Sequence, residues 1–159
     1  MTTSEPDSLQ KTMTPNILIS QSERELENRY ADYFIAHIDG QKAMTLRQFY
    51  EEMADLLEIP DFGFTLEALN DSLSDLQWLE DERIVLYFTN TNELVSKERD
   101  PAKMASILNM LDATAEDWKW VDDEGADKKD IVIVFEDSPR IRKMLEQEGI
   151  DYDMLSELD

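Results

Sequence analysis

The chain has 159 residues with 42% apolar side chains, enough for one ordinary domain with tails. Its 37 acidic residues against 15 Lys and Arg give a formal charge of −22, which excludes phosphate-backbone binding by counterion release and makes any charged partner basic. It has no cysteine and one histidine, which removes disulfides, thiol catalysis and thiolate metal sites and argues against a His-relayed triad. The composition reads as reduced and cytoplasmic. No apolar run reaches the roughly 20 residues of a membrane helix, and Met1-Thr2-Thr3-Ser4-Glu5 has neither the basic start nor the apolar stretch of a signal peptide.

Residues 1–15 carry Ser, Thr, Pro and charges with little to bury, and are expected to form a disordered tail. The apolar run Ile17-Leu18-Ile19 precedes Ser20-Gln21-Ser22-Glu23, whose Ser-x-x-Glu spacing predicts a capping box and a charged helix to about Ala31. Tyr33 to Ile38 is aromatic, β-branched or small and ends at Asp39-Gly40, as a strand followed by a turn would. Thr45-Leu46-Arg47-Gln48 is a second capping box, and Leu46, Phe49, Met53, Leu56 and Leu57 mark one face of a helix stopped by Pro60. Thr65 caps another helix, with Glu67 in its first turn and Leu66, Leu69, Leu73 and Leu76 as its apolar stripe.

Ile84 to Phe88 and Ile131 to Phe135 are nearly continuous apolar runs of strand length. Strands without alternation suit a parallel sheet covered on both faces. Between them Asp100-Pro101 opens a helix with Met104, Ile107, Leu108 and Leu111 on one face, completing a strand, helix, strand crossover. Ala115 to Asp130 reads as a long loop. Ser138-Pro139 opens a short helix closed by Gly149, and Ile150 to Asp159 is an acidic tail with Tyr152, Met154, Leu155 and Leu158 at helical spacing. The expected architecture is α/β: a small three-stranded parallel sheet packed with helices, with N- and C-terminal extensions.

From Gln48 to Glu82 the chain has eleven acids and no Lys or Arg. Helical placement puts Glu67, Asn70, Asp71, Ser74 and Asp75 opposite the leucine stripe, facing outward. Glu67, Asp71 and Asp75 stand at i, i+4 and i+8, where each adjacent like-charge pair costs a helix about 0.2 to 0.5 kcal/mol. A solvated face kept acidic for solubility and a docking face for a cationic cleft both fit this pattern. His37, in an apolar strand beside Asp39, reads as a satisfied strand histidine. Asp122 to Asp127 lacks the ligand order of a calcium loop, and Glu51 and Glu52 point about 100° apart, so neither site is expected to carry chemistry. The pattern offers no catalytic constellation, metal site or cofactor site.

The segment Ile59-Pro60-Asp61-Phe62-Gly63-Phe64-Thr65-Leu66-Glu67-Ala68-Leu69-Asn70-Asp71-Ser72-Leu73 resembles the signature of the barstar family, inhibitors of secreted ribonucleases. In that family a Tyr-Tyr-Gly loop leads into a helix reading Asn-Leu-Asp-Ala-Leu-Trp-Asp-x-Leu. The resemblance runs from about residue 32 to 136; with the flanking elements read above, the expected organisation is a single barstar-like domain over 16–159, with an N-terminal helix and a C-terminal helical extension. It implies that the loop and the acidic helix face plug a nuclease active site, carboxylates standing in for phosphates. Asp71 matches the family's second helix Asp, Glu67 replaces the first, and Phe62 and Gly63 match the second aromatic and the glycine of the loop. Asn70 stands where the family commonly has Trp, Thr65 where it has Asn, and Asp61 where it has the first Tyr. The implied contact residues are Phe62, Gly63, Phe64, Glu67, Asn70, Asp71, Ser74 and Asp75, with Asp112 as a rim carboxylate on the following helix. The expected function is that of a non-enzymatic intracellular inhibitor, an immunity protein in a 1:1 complex with a basic toxin, a nuclease first. The alternatives are immunity against a non-nuclease toxin such as an ADP-ribosyltransferase, an acidic nucleic-acid-mimic decoy, and an enzyme with an unrecognised carboxylate site.

Overall fold

The computed structural model describes residues 15–121 and 128–158. Its elements are β1 (Ile17–Ser20), α1 (Glu23–Arg29), β2 (Phe34–Asp39), α2 (Leu46–Leu56), α3 (Leu66–Asp75), β3 (Arg83–Thr89), α4 (Pro101–Lys119), β4 (Asp130–Glu136), α5 (Pro139–Gln147) and β5 (Tyr152–Met154). Short 3₁₀ turns follow β2 at Gly40–Lys42 and β5 at Leu155–Glu157. The expected tail falls, apart from Pro15, outside the described residues, as does Asp122 to Asp127.

The three-stranded sheet expected from the sequence is corrected to five parallel strands in the order β2-β3-β4-β1-β5. β2, β3 and β4 are the expected strands, in register from Phe34 beside Ile84 and from Ile84 beside Ile131. The added half comes from the two ends of the described chain. β1 lies against β4, pairing Ile17 with Ile133 and Ile19 with Phe135, and β5 closes the other side of β1, pairing Ile17 with Tyr152 and Ile19 with Met154.

The sequence concealed both added strands for identifiable reasons. β1 is four residues long and its nearest partners in sequence order lie beyond residue 129, so its apolar run gave no local pairing signal. In β5, Tyr152 and Met154 are two apart, and with Leu155 and Leu158 they fit helical spacing as well as strand alternation. The expected helical tail there is therefore replaced by a strand and a 3₁₀ turn. The expected loop from Ala115 is also corrected. α4 continues to Lys119, because Leu111, Ala115 and Trp118 extend its buried stripe.

Continuous apolar strands are explained by cover on both faces. Ile17, Ile19, Ile38, Ile84, Leu86, Phe88, Ile133 and Phe135 meet Phe49 and Met53 of α2, Leu69 and Leu73 of α3, the buried stripe of α4, and Ile141 and Leu145 of α5. On the reverse face Leu18, Val85, Tyr87 and Val134 meet Leu26 and Tyr30 of α1 and Leu155.

The helix starts follow local chemistry. Thr45 and Gln48 close both halves of the capping box, and Asp100 and Ser138 cap α4 and α5 with Pro in the first turn. α1 starts later than Ser20 would place it. Ser22 is its N-cap, accepting from the Glu25 N–H, because Ser20 is consumed as the last residue of β1. At the β2–β3 end Gly40 is required by close approach, since a Cβ there would lie 2.2 Å from the Asn90 carbonyl oxygen. Among the described residues no helix is long and apolar enough to cross a membrane.

Candidate functional site

α3 is a helix because Thr65 accepts the Ala68 N–H at 3.0 Å and because its leucines recur every three or four residues. Leu69 and Leu73 are buried, and the helix ends at Leu76, whose backbone turns left-handed at φ 53° while its side chain is buried. Glu67, Asn70, Asp71, Ser74 and Asp75 are all exposed on the opposite side, as the helical placement requires.

Beneath this face the seating is polar as well as apolar. The buried Trp118 of α4 donates its indole N–H to the Leu73 carbonyl at 2.8 Å, satisfying one of the carbonyls that the C-terminal turn of a helix leaves open. After α3, Trp78 donates to the Leu57 carbonyl at 2.8 Å, and the buried Lys129 ammonium donates to the carbonyls of Leu79 at 2.7 Å and Asp81 at 2.6 Å. The helix is thus held from behind while its acids face solvent. Trp118 and Lys129 went unassigned in the sequence because both fall in the stretch read as a loop, although Leu111, Ala115 and Trp118 carry helical spacing.

The preceding loop is drawn toward α2. Phe62 and Phe64 are half-buried, their ring centroids 5.0 Å apart, and Phe62 meets Tyr50 edge-on at 5.9 Å. The Arg47 guanidinium lies 4.1 Å from the Phe64 ring centroid and pairs with Glu51 at 3.3 Å. Asp61 and Phe64 have left-handed backbones, at φ 50° and 54°, on either side of the exposed Gly63. Non-glycine residues pay about 1 to 2 kcal/mol each for that conformation, so the bend is imposed by the packing of its two rings.

The nine candidate residues therefore fall into two groups. Phe62, Gly63, Phe64, Glu67, Asn70, Asp71, Ser74 and Asp75 form one continuous loop and helix face. Asp112 lies on α4, half-buried, and accepts a hydrogen bond at 3.0 Å from the side-chain amide of Asn16, at the head of β1. That bond ties it to the N-terminal strand and not to α3.

Side-chain pairing sets the α3 acids apart from other acids of the chain. Among the described residues the side chains of Glu67, Asp71 and Asp75 make no hydrogen bond or ion pair. Elsewhere acids are held: the Trp120 indole and the Asn16 amide hold Glu116 below the usual carboxylate range, and the bidentate Arg142 guanidinium does the same for Asp137. His37 is exposed, its Nε2 2.7 Å from the Thr89 hydroxyl. No three His, Asp or Glu side chains among the described residues converge as a metal centre would require.

Comparison with solved structures bears on the fold. The Aeropyrum pernix ORC2 protein in its ADP form has a TM-score of 0.54 at 11% identity, covering 88% of this chain and 42% of that one. Its ADPNP-ADP complexes give 0.53 at 10% identity, covering 89% and 41%. Cdc6p from Pyrobaculum aerophilum gives 0.48 at 15% identity, covering 96% and 45%. This chain thus spans less than half the length of each. The ORC2 likeness concerns architecture alone, and its extent accords with a five-stranded sheet that includes the chain's outer segments. No curated protein matches the sequence. The family model described as "Barstar (barnase inhibitor)" matches residues 33–136, from the approach to β2 through the end of β4 and including the whole acidic loop and helix. With more than half of its length so matched, the chain belongs to the barstar family.

Proposed function

We propose that this protein is an inhibitor that blocks the active site of a cationic protein toxin, a nuclease first, and performs no chemistry of its own. One observation carries the reading: Glu67, Asp71 and Asp75 stand exposed on one rigidly seated helix face without a polar partner among the described residues. Crowding three like charges is unfavourable within the isolated chain. The arrangement becomes favourable against a cleft that binds phosphates, where aligned carboxylates meet cationic groups and long-range attraction speeds encounter.

In this reading Asp71 and Glu67 make the central contacts, Asn70, Ser74 and Asp75 complete the helix face, and the Phe62-Gly63-Phe64 loop forms the rim. Membership of a family described by its action on barnase supports a nuclease target over another toxin.

Among the described residues, the turn from β1 into α1 offers no seat for the phosphates of the ADP and ADPNP named for the ORC2 structures. In open α/β folds, phosphates sit at the carboxyl ends of strands on a glycine-rich turn and a helix N-terminus. Here β1 enters α1 through Gln21-Ser22, without glycine or lysine. The first turn of α1 holds Glu23 and Glu25, and the Glu25 carboxylate accepts the Gln21 backbone N–H at 3.1 Å. A phosphate would meet carboxylates there.

The reading is tested by titrating barnase and a panel of basic ribonucleases and ADP-ribosyltransferase toxins with the full chain, following RNA cleavage and ADP-ribosyl transfer. Stoichiometric 1:1 inhibition of one nuclease supports the proposal. Inhibition of a transferase alone would shift the target class, weak inhibition of every basic enzyme would favour a decoy, and product formation by the chain alone would make it an enzyme.

A further inference from the structure

The two outer strands of the sheet are protected unequally. β5 has three residues with Asp153 at its centre, and it runs directly into a 3₁₀ turn at Leu155. A short, charged edge of that kind resists pairing with another chain. β2 lies at the opposite edge without such protection. Its six residues, Phe34 to Asp39, keep unbroken register with β3 and include no Pro, Gly, Lys or Arg.

β2 is bonded to the sheet on one side, through β3. Among the described residues no hydrogen bond outside that ladder reaches the backbone of Phe34 to Ile38. Every second residue of an edge strand turns its N–H and C=O away from the sheet, so β2 is a template for one more strand. Its side chains suit that use. Ala36 and Ile38 are buried in the core, whereas Phe34 and Ile35 are half-buried and pack on opposite faces of the sheet. An added strand would therefore find apolar contact on both faces.

Charge selects the occupant. Asp32, Asp81 and Glu82 line one cavity at the N-terminal end of β2 together with Arg83, which pairs with Asp32. Tyr33 is bonded to Asp130, and Asp39 accepts the Asn90 side-chain amide at 2.7 Å and lies near Lys42. Arg83 and Lys42 are thus outnumbered by acids around the strand. A second copy would bring another −22 to this edge and be repelled, whereas a basic strand would be attracted. We propose that the outer edge of β2 accepts an extended basic segment of a partner protein as a sixth strand. Main-chain bonds would hold the segment, and alternate side chains would lie beside Phe34 and Ile35. This surface shares no residue with the α3 face and does not depend on what that face binds.

The test uses the intact chain and a capped hexapeptide of alternating Lys and Val, followed by ¹H–¹⁵N NMR and amide exchange. Its counterpart, methylated at every backbone nitrogen, keeps the charge and side chains but has no main-chain donor. In the free chain the outward amides of β2 should exchange quickly. The unmethylated peptide should give saturable shifts and slower exchange at residues 34–38, and the methylated one should bind about tenfold or more weakly. His37, exposed near the middle of β2, supplies the second arm. His37→Lys should weaken the peptide about two- to fivefold and His37→Glu should strengthen it by a similar factor. Both variants lose the same contact to Thr89, so their difference reads charge. Equal binding by the methylated peptide would overturn the proposal, since charge alone would then suffice. Slow exchange of the outward amides in the free chain, or sedimentation as a dimer, would overturn it by showing the edge already taken by another segment or a second copy. Shifts confined to residues 66–75 would overturn it and leave the α3 reading intact.

Discussion

Asp71 on α3 and Asp137 just after β4 are both aspartates, and the fold treats them in opposite ways. Asp137 is wrapped. It accepts two bonds from Arg142, at 2.6 and 2.7 Å, and one from Gln21 at 3.1 Å, and its backbone N–H donates to Ser20. Asp71 is exposed, with no polar partner among the described residues. The carboxylates around β1 are used to fasten the chain's outer segments to the sheet, as Asn16 with Asp112 and Glu116, Asn109 with Glu148, and Tyr152 with Glu146 also show. Among the described residues the α3 carboxylates fasten nothing. The difference divides the chain into acids that act on folding and acids left available for a partner.

The largest test of this division lies under α3. Trp118→Ala removes a buried ring and the donor to Leu73, and should cost about 3 to 5 kcal/mol of stability in a thermal or denaturant melt. A loss under about 1 kcal/mol would mean that the acidic face is not seated by α4. Next come two glycines, which separate packing from display. Gly40→Ala forces a Cβ to 2.2 Å from the Asn90 carbonyl oxygen and 2.8 Å from that of Thr89, and should destabilise by about 1 to 3 kcal/mol or more. Gly63→Ala, in the proposed contact loop, meets only the Ala68 Cβ at 3.5 Å and should stay within about 0.5 kcal/mol of wild type. Similar melts for the two variants would contradict the distinction.

The smallest effect is in pH. Arg142 holds Asp137 below the usual carboxylate range, so its folded pKa lies under its unfolded one. The stabilisation is complete above the unfolded value of about 4 and is lost as pH falls through the folded value. Because Arg142 is 41% exposed, solvent screening limits the pair to at most about 1 kcal/mol. Wild type should therefore lose its advantage over Asp137→Asn as pH falls below about 4, whereas a pH-independent difference would place the contribution elsewhere.

Much of the candidate site was legible because its signals are local. Thr65 caps, the leucines repeat within ten residues, and the acids fall on the other side by geometry alone. Strands β2, β3 and β4 were legible for the same reason, each being a bounded apolar run. The sheet's outer half was not. β1 is too short to declare itself, the spacing of Tyr152, Met154 and Leu155 fits two periods, and their pairing brings together residues 17 and 152. The end of α4 was hidden by composition, since Glu116 and Asp117 between buried Ala115 and Trp118, with Lys119 after them, look like a loop unless the buried positions are counted alone. The ring packing of Phe62 and Phe64 against α2 depends on tertiary contacts that spacing does not encode.

The division is tested most directly by comparing Asp71→Ala with Asp137→Ala in paired melts and inhibition titrations against whichever toxin the panel titration shows to be inhibited. Asp71→Ala should melt within about 0.5 kcal/mol of wild type and lose about 2 to 5 kcal/mol of binding, as truncation of a charge-paired interface carboxylate does. Asp137→Ala should lose stability and keep its affinity. If Asp71→Ala inhibits as well as wild type, or if the two variants lose stability and affinity in the same proportion, the α3 face is not the surface that binds the toxin.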